Sequence, residues 1–323
     1  MAIGRNEGER LRVSLSSALQ QCQRVVFVDS GSTDGSASLA RSLGTLVVEL
    51  DDAAPYTAAR ARNAGFAHAA VQFPDLDAVQ FLDGDCELAE GWLERAAPVL
   101  ESHPQVAAVF GRRREVHPER SIFAKICDLE WDGPKGEAAY FGGDVLLRTS
   151  VFREAGGFDA SLIAGEEPEL CVRIRRQGWK ILRIDAEMTA HDVQIAHFAQ
   201  WWKRSVRTGH AYAEGAWMHG LSPQRHWLRE TISVCVWGAL LPAFAAASLA
   251  LAPAATLAIA LCYPAFGLRI YMRARRGGMN TPDARLYAAA CVIAKFPQAV
   301  GQIRFLLGRL ARRPSRLIEY KPT

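Results

Sequence analysis

Residues 231–268 carry no charge at all, a gap of 38 positions in a 323-residue chain in which 22% of residues are Asp, Glu, Lys or Arg. Helices of soluble proteins usually keep a polar stripe, and this run has none. A membrane-spanning helix needs about 20 apolar residues, so the run is long enough for two helices joined by a turn near Ala252-Pro253. The expectation is a membrane hairpin over about 231–270 rather than the buried hairpin of a soluble core. Other absences narrow the function. The seven cysteines contain no Cys-x-x-Cys pair, which argues against a zinc site or a disulfide framework; Cys86 reads as a small buried residue. No Gly-x-Gly-x-x-Gly follows a strand and no Gly-x4-Gly-Lys-Ser/Thr occurs, which argues against a dinucleotide-dependent dehydrogenase and a P-loop NTPase. No signal peptide precedes Gly4-Arg5-Asn6-Glu7, so the first two-thirds of the chain is expected in the cytosol.

Charge placement agrees. Arg229 lies before the uncharged run, and Arg269, Arg273, Arg275 and Arg276 follow it, the flanks expected on the cytoplasmic side. The net charge is only +4. Anionic lipid head groups account for arginines beside apolar segments better than nucleic acid does.

What is present begins as a regular alternation. The stretches "RVVFVDS" (24–30), "TLVVEL" (45–50), "AVQFLDG" (78–84) and "VAAVF" (106–110) suit strands buried on both faces. Helical stretches separate them at 9–21, 33–43, 57–70 and 91–101, the second opened by the capping residues Ser32-Thr33-Asp34 and stopped at Gly44. Such alternation predicts a parallel sheet covered by helices, with ligands beyond the carboxyl ends of the strands. Asp29 and Asp83 then share one rim. Only Met1-Ala2-Ile3 precede the first polar turn, so the first strand is either stunted or preceded by further residues. After residue 116 the alternation stops. A helix is predicted over 121–132, then a glycine-rich loop, strand, short helix and loop over 140–159. Residues 165–179 form a helix with three glutamates in its first turn, favourable for the helix dipole, and a strand follows, ending at His191.

Asp83 and Asp85 flank Gly84 in "FLDGDCEL". Two carboxylates this close repel, so a positive partner must sit beside them. Together with Asn6-Glu7, Asp29, Arg62-Asn63, Glu166-Glu167 and His191, they form an ordered polar set at strand ends and loops.

That set carries a resemblance. "GRNEGERL", "VVFVDSGSTDGS", "ARNAG", "FLDGDCEL", "GGDVLLRTSVFREAGGFD" and "GEEPELCVRIRRQGW" resemble, in order, the motifs of family-2 inverting glycosyltransferases with the GT-A fold, over residues 3–192. The resemblance implies a mostly parallel α/β sheet flanked by helices, and a Mg²⁺ or Mn²⁺ carried by the diphosphate of a nucleotide-sugar. Asp85 would bind that metal and Asp83 the ribose or the metal shell, since hard cations prefer carboxylate oxygen and stabilise a departing diphosphate as Lewis acids. Asp29 would read the base, with Glu7 lining the same pocket and Arg62 near the nucleotide. A helix cap is the competing reading for Asp29, and a surface salt bridge for Arg62. Glu167, second of the acidic pair, would be the base that deprotonates the acceptor hydroxyl. The family usually has Asp there, so Glu166 stays a competitor, and helix stability alone is the plain alternative for both. His191 is either a third metal ligand or a structural histidine.

Residues 195–219 carry Trp201, Trp202 and Trp217 among basic residues, a composition suited to a membrane interface. "QWWKR" matches the Gln-x-x-Arg-Trp of processive family members only incompletely, and polymer synthesis is not read from it. The apolar segment 286–307 contains Lys295, Pro297 and Arg304 and reads as interfacial or re-entrant. The expected organisation is a transferase domain over 1–225 and a membrane region over 226–323. The expected activity is metal-dependent, inverting hexosyl transfer from a UDP- or GDP-linked sugar to a lipid-linked glycan or glycolipid. It would take place on the cytosolic face of the cytoplasmic membrane, with no nucleic-acid partner. Two other classes compete. A nucleotidyltransferase would carry a glycine-rich basic phosphate loop near its start, which "IGRNEGERL" lacks. A non-catalytic membrane scaffold would have no need of Asp83, Asp85 and Glu167 together.

Overall fold

The computed structural model describes residues 1–312 and Ile318, so the last stretch of the expected membrane region lies outside the described residues. The chain divides into two compact units, residues 1–118 with 131–194, and 119–130 with 195 onward. The boundary read near residue 225 therefore falls inside the second unit.

The first unit is built on one mixed sheet. Strand β1 (Ala2–Gly4) lies between β2 (Val26–Asp29) and β4 (Ala78–Asp83), with β3 (Leu46–Glu49) outside β2, all parallel. The four residues of β2 are all buried, as its unbroken apolar run requires. Strand β3 departs from the same expectation: as an edge strand it is half-exposed, and Leu46 faces solvent. Helices α1 (Glu9–Gln21), α2 (Ser36–Ser42), α3 (Ala58–Gln72) and α4 (Trp92–Ser102) follow the strands. Leu11, Ser14 and Leu15 bury one face of α1 at helical spacing. Helix α2 starts three residues later than read, because Asp34 uses its carboxylate to hold Ser36 N at 3.0 Å and completes a turn first. Thr57 caps α3 by accepting from Arg60 N at 3.2 Å.

Beyond β4 the sheet stops being parallel. After the short β5 (Cys86–Leu88) and α4, strand β6 (Val106–Glu115) runs five residues past its expected end, through irregular register near Gly111. Strand β8 (Val145–Arg148) lies antiparallel between β4 and β6. It enters from the Gly142-Gly143 loop on the rim where β4 ends, so it must run back down the sheet. Strand β9 (Lys180–His191) pairs parallel with β6 and antiparallel with both β5 and the short β7 (Gly136–Glu137). Between β8 and β9 come α6 (Thr149–Glu154) and α7 (Glu166–Arg176). Phe66, Phe81, Phe152 and Phe158 form an aromatic core beneath this half, with ring centroids 4.5–5.4 Å apart.

The second unit is helical: α5 (Ile122–Trp131, less its last residue), α8 (Phe198–His219), and the helices Leu228–Ser248, Pro253–Arg276 and Thr281–Leu310. The uncharged run thus forms two helices meeting at 249–252, both long and apolar enough to cross a membrane and almost wholly exposed. Their mutual contact includes Trp237 stacked on Phe266 at 4.2 Å. Glycine lets three backbones touch. A Cβ on Gly209 would strike the Gln298 carbonyl, one on Gly301 the Val206 carbonyl, and one on Gly238 the Lys295 carbonyl. The helix Thr281–Leu310 buries Ala284, Ala288, Ala294 and Phe305 while leaving Ile293, Phe296, Ile303, Leu306 and Leu310 exposed. Of the three tryptophans on α8, Trp201 is buried against Phe123 and only Trp217 is largely exposed.

Candidate active site

The strand register puts Gly4 of β1 beside Asp29 and Ile3 beside Asp83, so both aspartates stand on one rim. The glycine between Asp83 and Asp85 has a local cause. Gly84 N donates to Ile3 O at 2.7 Å, and a Cβ on Gly84 would meet that oxygen at 2.8 Å. The missing side chain admits β1 itself.

The positive partner demanded by the two aspartates is a pair of arginines. Arg62, one turn into α3, donates from Nη2 to Asp83 Oδ1 at 2.8 Å, and Arg113 of β6 donates to Asp83 Oδ2 at 3.1 Å. Burial pushes the Asp83 carboxyl up, but Arg62 and Arg113 outweigh it and hold it below the usual carboxylate range. Arg62 is also the hub of the acidic pair that opens α7. Its Nη1 donates to Glu166 Oε1 at 3.0 Å and to Glu167 Oε1 at 2.9 Å. Burial opposes the charge on Arg62, yet Glu167, Asp83 and Glu166 together raise its pKa. One guanidinium cannot neutralise three carboxylates. Burial and then the neighbouring Glu166 push Glu167 up to about 7 despite Arg62. The Glu166 side chain is 5% exposed and that of Glu167 16%, so Glu167 is the member of the pair more open to an incoming group.

Asp29 is buried, and its Oδ2 accepts from Ser32 N at 2.8 Å. The helix-cap reading fails, since α2 begins at Ser36. Oδ1 of Asp29 is buried without a partner, which leaves one acceptor facing the rim. Asn6 ties the neighbouring loops: its N donates to Ser32 Oγ at 2.9 Å and its Oδ1 accepts from Thr33 N at 2.8 Å. Glu7 on the same loop lies 2.7 Å from Arg10 and packs against Gly4 and Gly84. Arg62 is no surface salt bridge, being 2% exposed. Its neighbour Asn63 makes two bonds to Phe158, Nδ2 to O at 2.7 Å and Phe158 N to Oδ1 at 2.9 Å. These fix the loop that leads to Glu166.

On the far side of the Asp pair, His191 Nε2 is 3.1 Å from Asp85 Oδ2, and both side chains are buried. Cys86, His191 and Glu115 form one row across β5, β9 and β6. Burial pushes the Cys86 thiol well up, as fits the small buried residue read from sequence. Asp85, Cys86 and His191 bring their donor atoms within 4.8 Å of one another. A carboxylate and an imidazole side by side suit a divalent cation. The wider site agrees, because six buried or half-buried carboxylates (Asp83, Asp85, Glu115, Asp144, Glu166 and Glu167) outnumber Arg62 and Arg113.

Four residues here were missed in the sequence. Arg113 and Glu115 sit in "RRRE", which reads as a solvated charge run but continues β6 onto the rim. Asp144 accepts from Asp83 N at 2.9 Å and from Thr189 Oγ1 at 2.8 Å; its signal was the "GGD" motif. Trp131 packs its face on Arg113 and meets His191 in a T-shaped contact, with ring centroids 4.9 Å apart.

This geometry has known counterparts. Residues 4–146 match the sequence model of glycosyl transferase family 2. The chain is a glycosyltransferase, and over those residues it resembles family 2. Its relatives include glycosyltransferase AglE of Haloferax volcanii, 25% identical over 252 residues that cover 72% of this chain and 76% of the relative. A pre-mycofactocin glycosyltransferase of Mycobacterium tuberculosis is 26% identical over 147 residues, 42% of this chain and 30% of that longer protein. Among solved structures, the mannosyltransferase PcManGT of Pyrobaculum calidifontis, determined with GDP-mannose and Mn²⁺, superposes with a TM-score of 0.58 at 19% identity, covering 94% of this chain and 86% of that one. The transferase shares that fold.

Proposed function

We propose that this transferase moves a sugar, with inversion, from a nucleoside-diphosphate sugar to a lipid-linked glycan or glycolipid at the cytosolic face of the cytoplasmic membrane. The observation that carries the reading is the Arg62 hub, in which one guanidinium joins Asp83 on the donor side to Glu167 on the acceptor side. A general base works best with a pKa near the operating pH, and Glu167 has one. It is the group to take the acceptor hydroxyl proton, with Glu166 buried behind it holding Arg62 in place. Asp29 offers its unpartnered Oδ1 to an N–H of the base, and Glu7 lines the same wall.

Asp85 and His191 are the residues to hold a Mg²⁺ or Mn²⁺, with Asp83 toward the ribose or the metal shell. Bound there, such an ion would stabilise charge on the leaving diphosphate. PcManGT, with its GDP-mannose and Mn²⁺, supports that kind of donor and cation here. Two exposed apolar helices bounded by arginines support the membrane, in the orientation that keeps positive flanks inside. The exposed apolar side of Thr281–Leu310 and the exposed Trp217 suit the interface.

The test is a panel of nucleotide-sugars presented to the purified full chain in lipid with Mn²⁺ or Mg²⁺. Release of nucleoside diphosphate from one donor, abolished by chelator, is the expected result. No release from any donor by a folded, lipid-reconstituted chain would overturn the reading.

A further inference from the structure

His191 lies between two carboxylates. Its Nε2 faces Asp85, and its other nitrogen, Nδ1, is 3.6 Å from Glu115 Oε2. That gap is longer than a hydrogen bond, and Nδ1 is buried without a partner. Glu115 is itself 2% exposed, a place where a carboxylate is costly unless it is hydrogen-bonded. It is held from both sides, because Oε1 accepts from His117 N at 3.3 Å and Oε2 from Val193 N at 3.1 Å. The strand register makes Glu115 and His191 direct neighbours, and Val116 N donates to His191 O at 3.0 Å. Two backbone amides thus hold a negative charge fixed toward the far nitrogen of the imidazole that faces Asp85.

We infer that Glu115 is a positioning residue for the cation site. It selects the His191 tautomer with the proton on Nδ1, leaving the Nε2 lone pair for the metal. Metal-bound histidines commonly give their second N–H to a carboxylate, which orients the ring and makes it more basic, and loss of such a partner weakens metal binding by about 10–100-fold. Arg113 and Trp131 do not compete for the role: Arg113 is engaged by Asp83 and Asp144, and Trp131 meets His191 only in the T-shaped ring contact. The inference rests on the metal-site reading above.

Mn²⁺ affinity, measured without donor by the electron paramagnetic resonance signal of the free ion, separates the two ideas. E115Q keeps the side-chain volume and one of the two oxygens that accept from the backbone amides, while removing the charge. It should weaken Mn²⁺ binding about tenfold or more, while H191A/E115Q should bind no worse than H191A. Wild-type affinity in E115Q would overturn the inference. So would an equal loss from E115Q with or without His191, because Glu115 would then act by another route. H191A with wild-type affinity would instead remove the metal-site reading itself. A readout that needs no variant is the ¹⁵N resonance of the His191 ring in the Mg²⁺-loaded protein. It should report a proton on Nδ1, and a proton on Nε2 would overturn the inference.

Discussion

Nη1 of Arg62 lies 2.9 Å from Oε1 of Glu167, yet the Glu167 pKa sits near 7 rather than low. An arginine this close would ordinarily hold a carboxylate ionised. Here Asp83 and Glu166 share the same guanidinium and burial opposes the remaining charge. The Glu167 carboxylate therefore keeps affinity for a proton while staying tethered.

Glu167→Gln should lower turnover by about 10²–10⁴-fold, the usual cost of losing a general base, with nucleoside diphosphate affinity within a few-fold of wild type. Glu166→Gln should do much less. Steady-state rates and nucleotide titration of both variants check this, and a reversed order would assign the base to Glu166.

The pH dependence has a definite sign. A general base acts in its ionised form, so the rate should rise with pH through about 7 and then level off. Below that value each pH unit should remove about a factor of ten. A rate that falls across the same range would show that Glu167 acts as an acid.

Gly142 and Gly143 should respond unequally to alanine. A Cβ on Gly143 would lie 2.5 Å from Asp83 Oδ2 and 2.7 Å from Arg62 Nη2, whereas one on Gly142 meets nothing within 4 Å. Gly143→Ala should cost about 1–3 kcal/mol, as overpacking does, and weaken donor binding. Gly142→Ala should be close to neutral in thermal denaturation and donor titration.

Topology follows from the arginine flanks. A reporter fused after Arg312 should score cytosolic, like the catalytic domain. A reporter on the far side would mean that Thr281–Leu310 also spans.

The polar motifs were legible because each stands at a strand end or opens a helix, where short-range pattern and chemistry coincide. Strand alternation put Asp29 and Asp83 on one rim, and the resemblance grouped Asp85, Glu166, Glu167 and His191 with them. Arg113 and Glu115 were not legible, since a charged run after an apolar strand looks the same whether it turns outward or continues along the sheet. Only pairing with β9 decides that. The direction of β8 and the exposure of β3 were likewise hidden, because both depend on neighbours distant in the chain. Arg62 was visible as a residue but not as a hub, since its partners lie 21, 104 and 105 positions away.

Arg62 and Asn63 are adjacent on α3, and they reach in different directions. Arg62 grips Asp83 on one side and Glu166 with Glu167 on the other, and Asn63 makes two hydrogen bonds to the Phe158 backbone, whose loop leads to Glu166. The loop therefore has little independent freedom. Its excursions away from α3 must break the Asn63 pair, and displacing the start of α7 strains the Arg62 bonds as well. Its amides should exchange with solvent on the timescale of α3 rather than at the rate of a surface loop, so that opening beside Glu167 and slackening around Asp83 become one event.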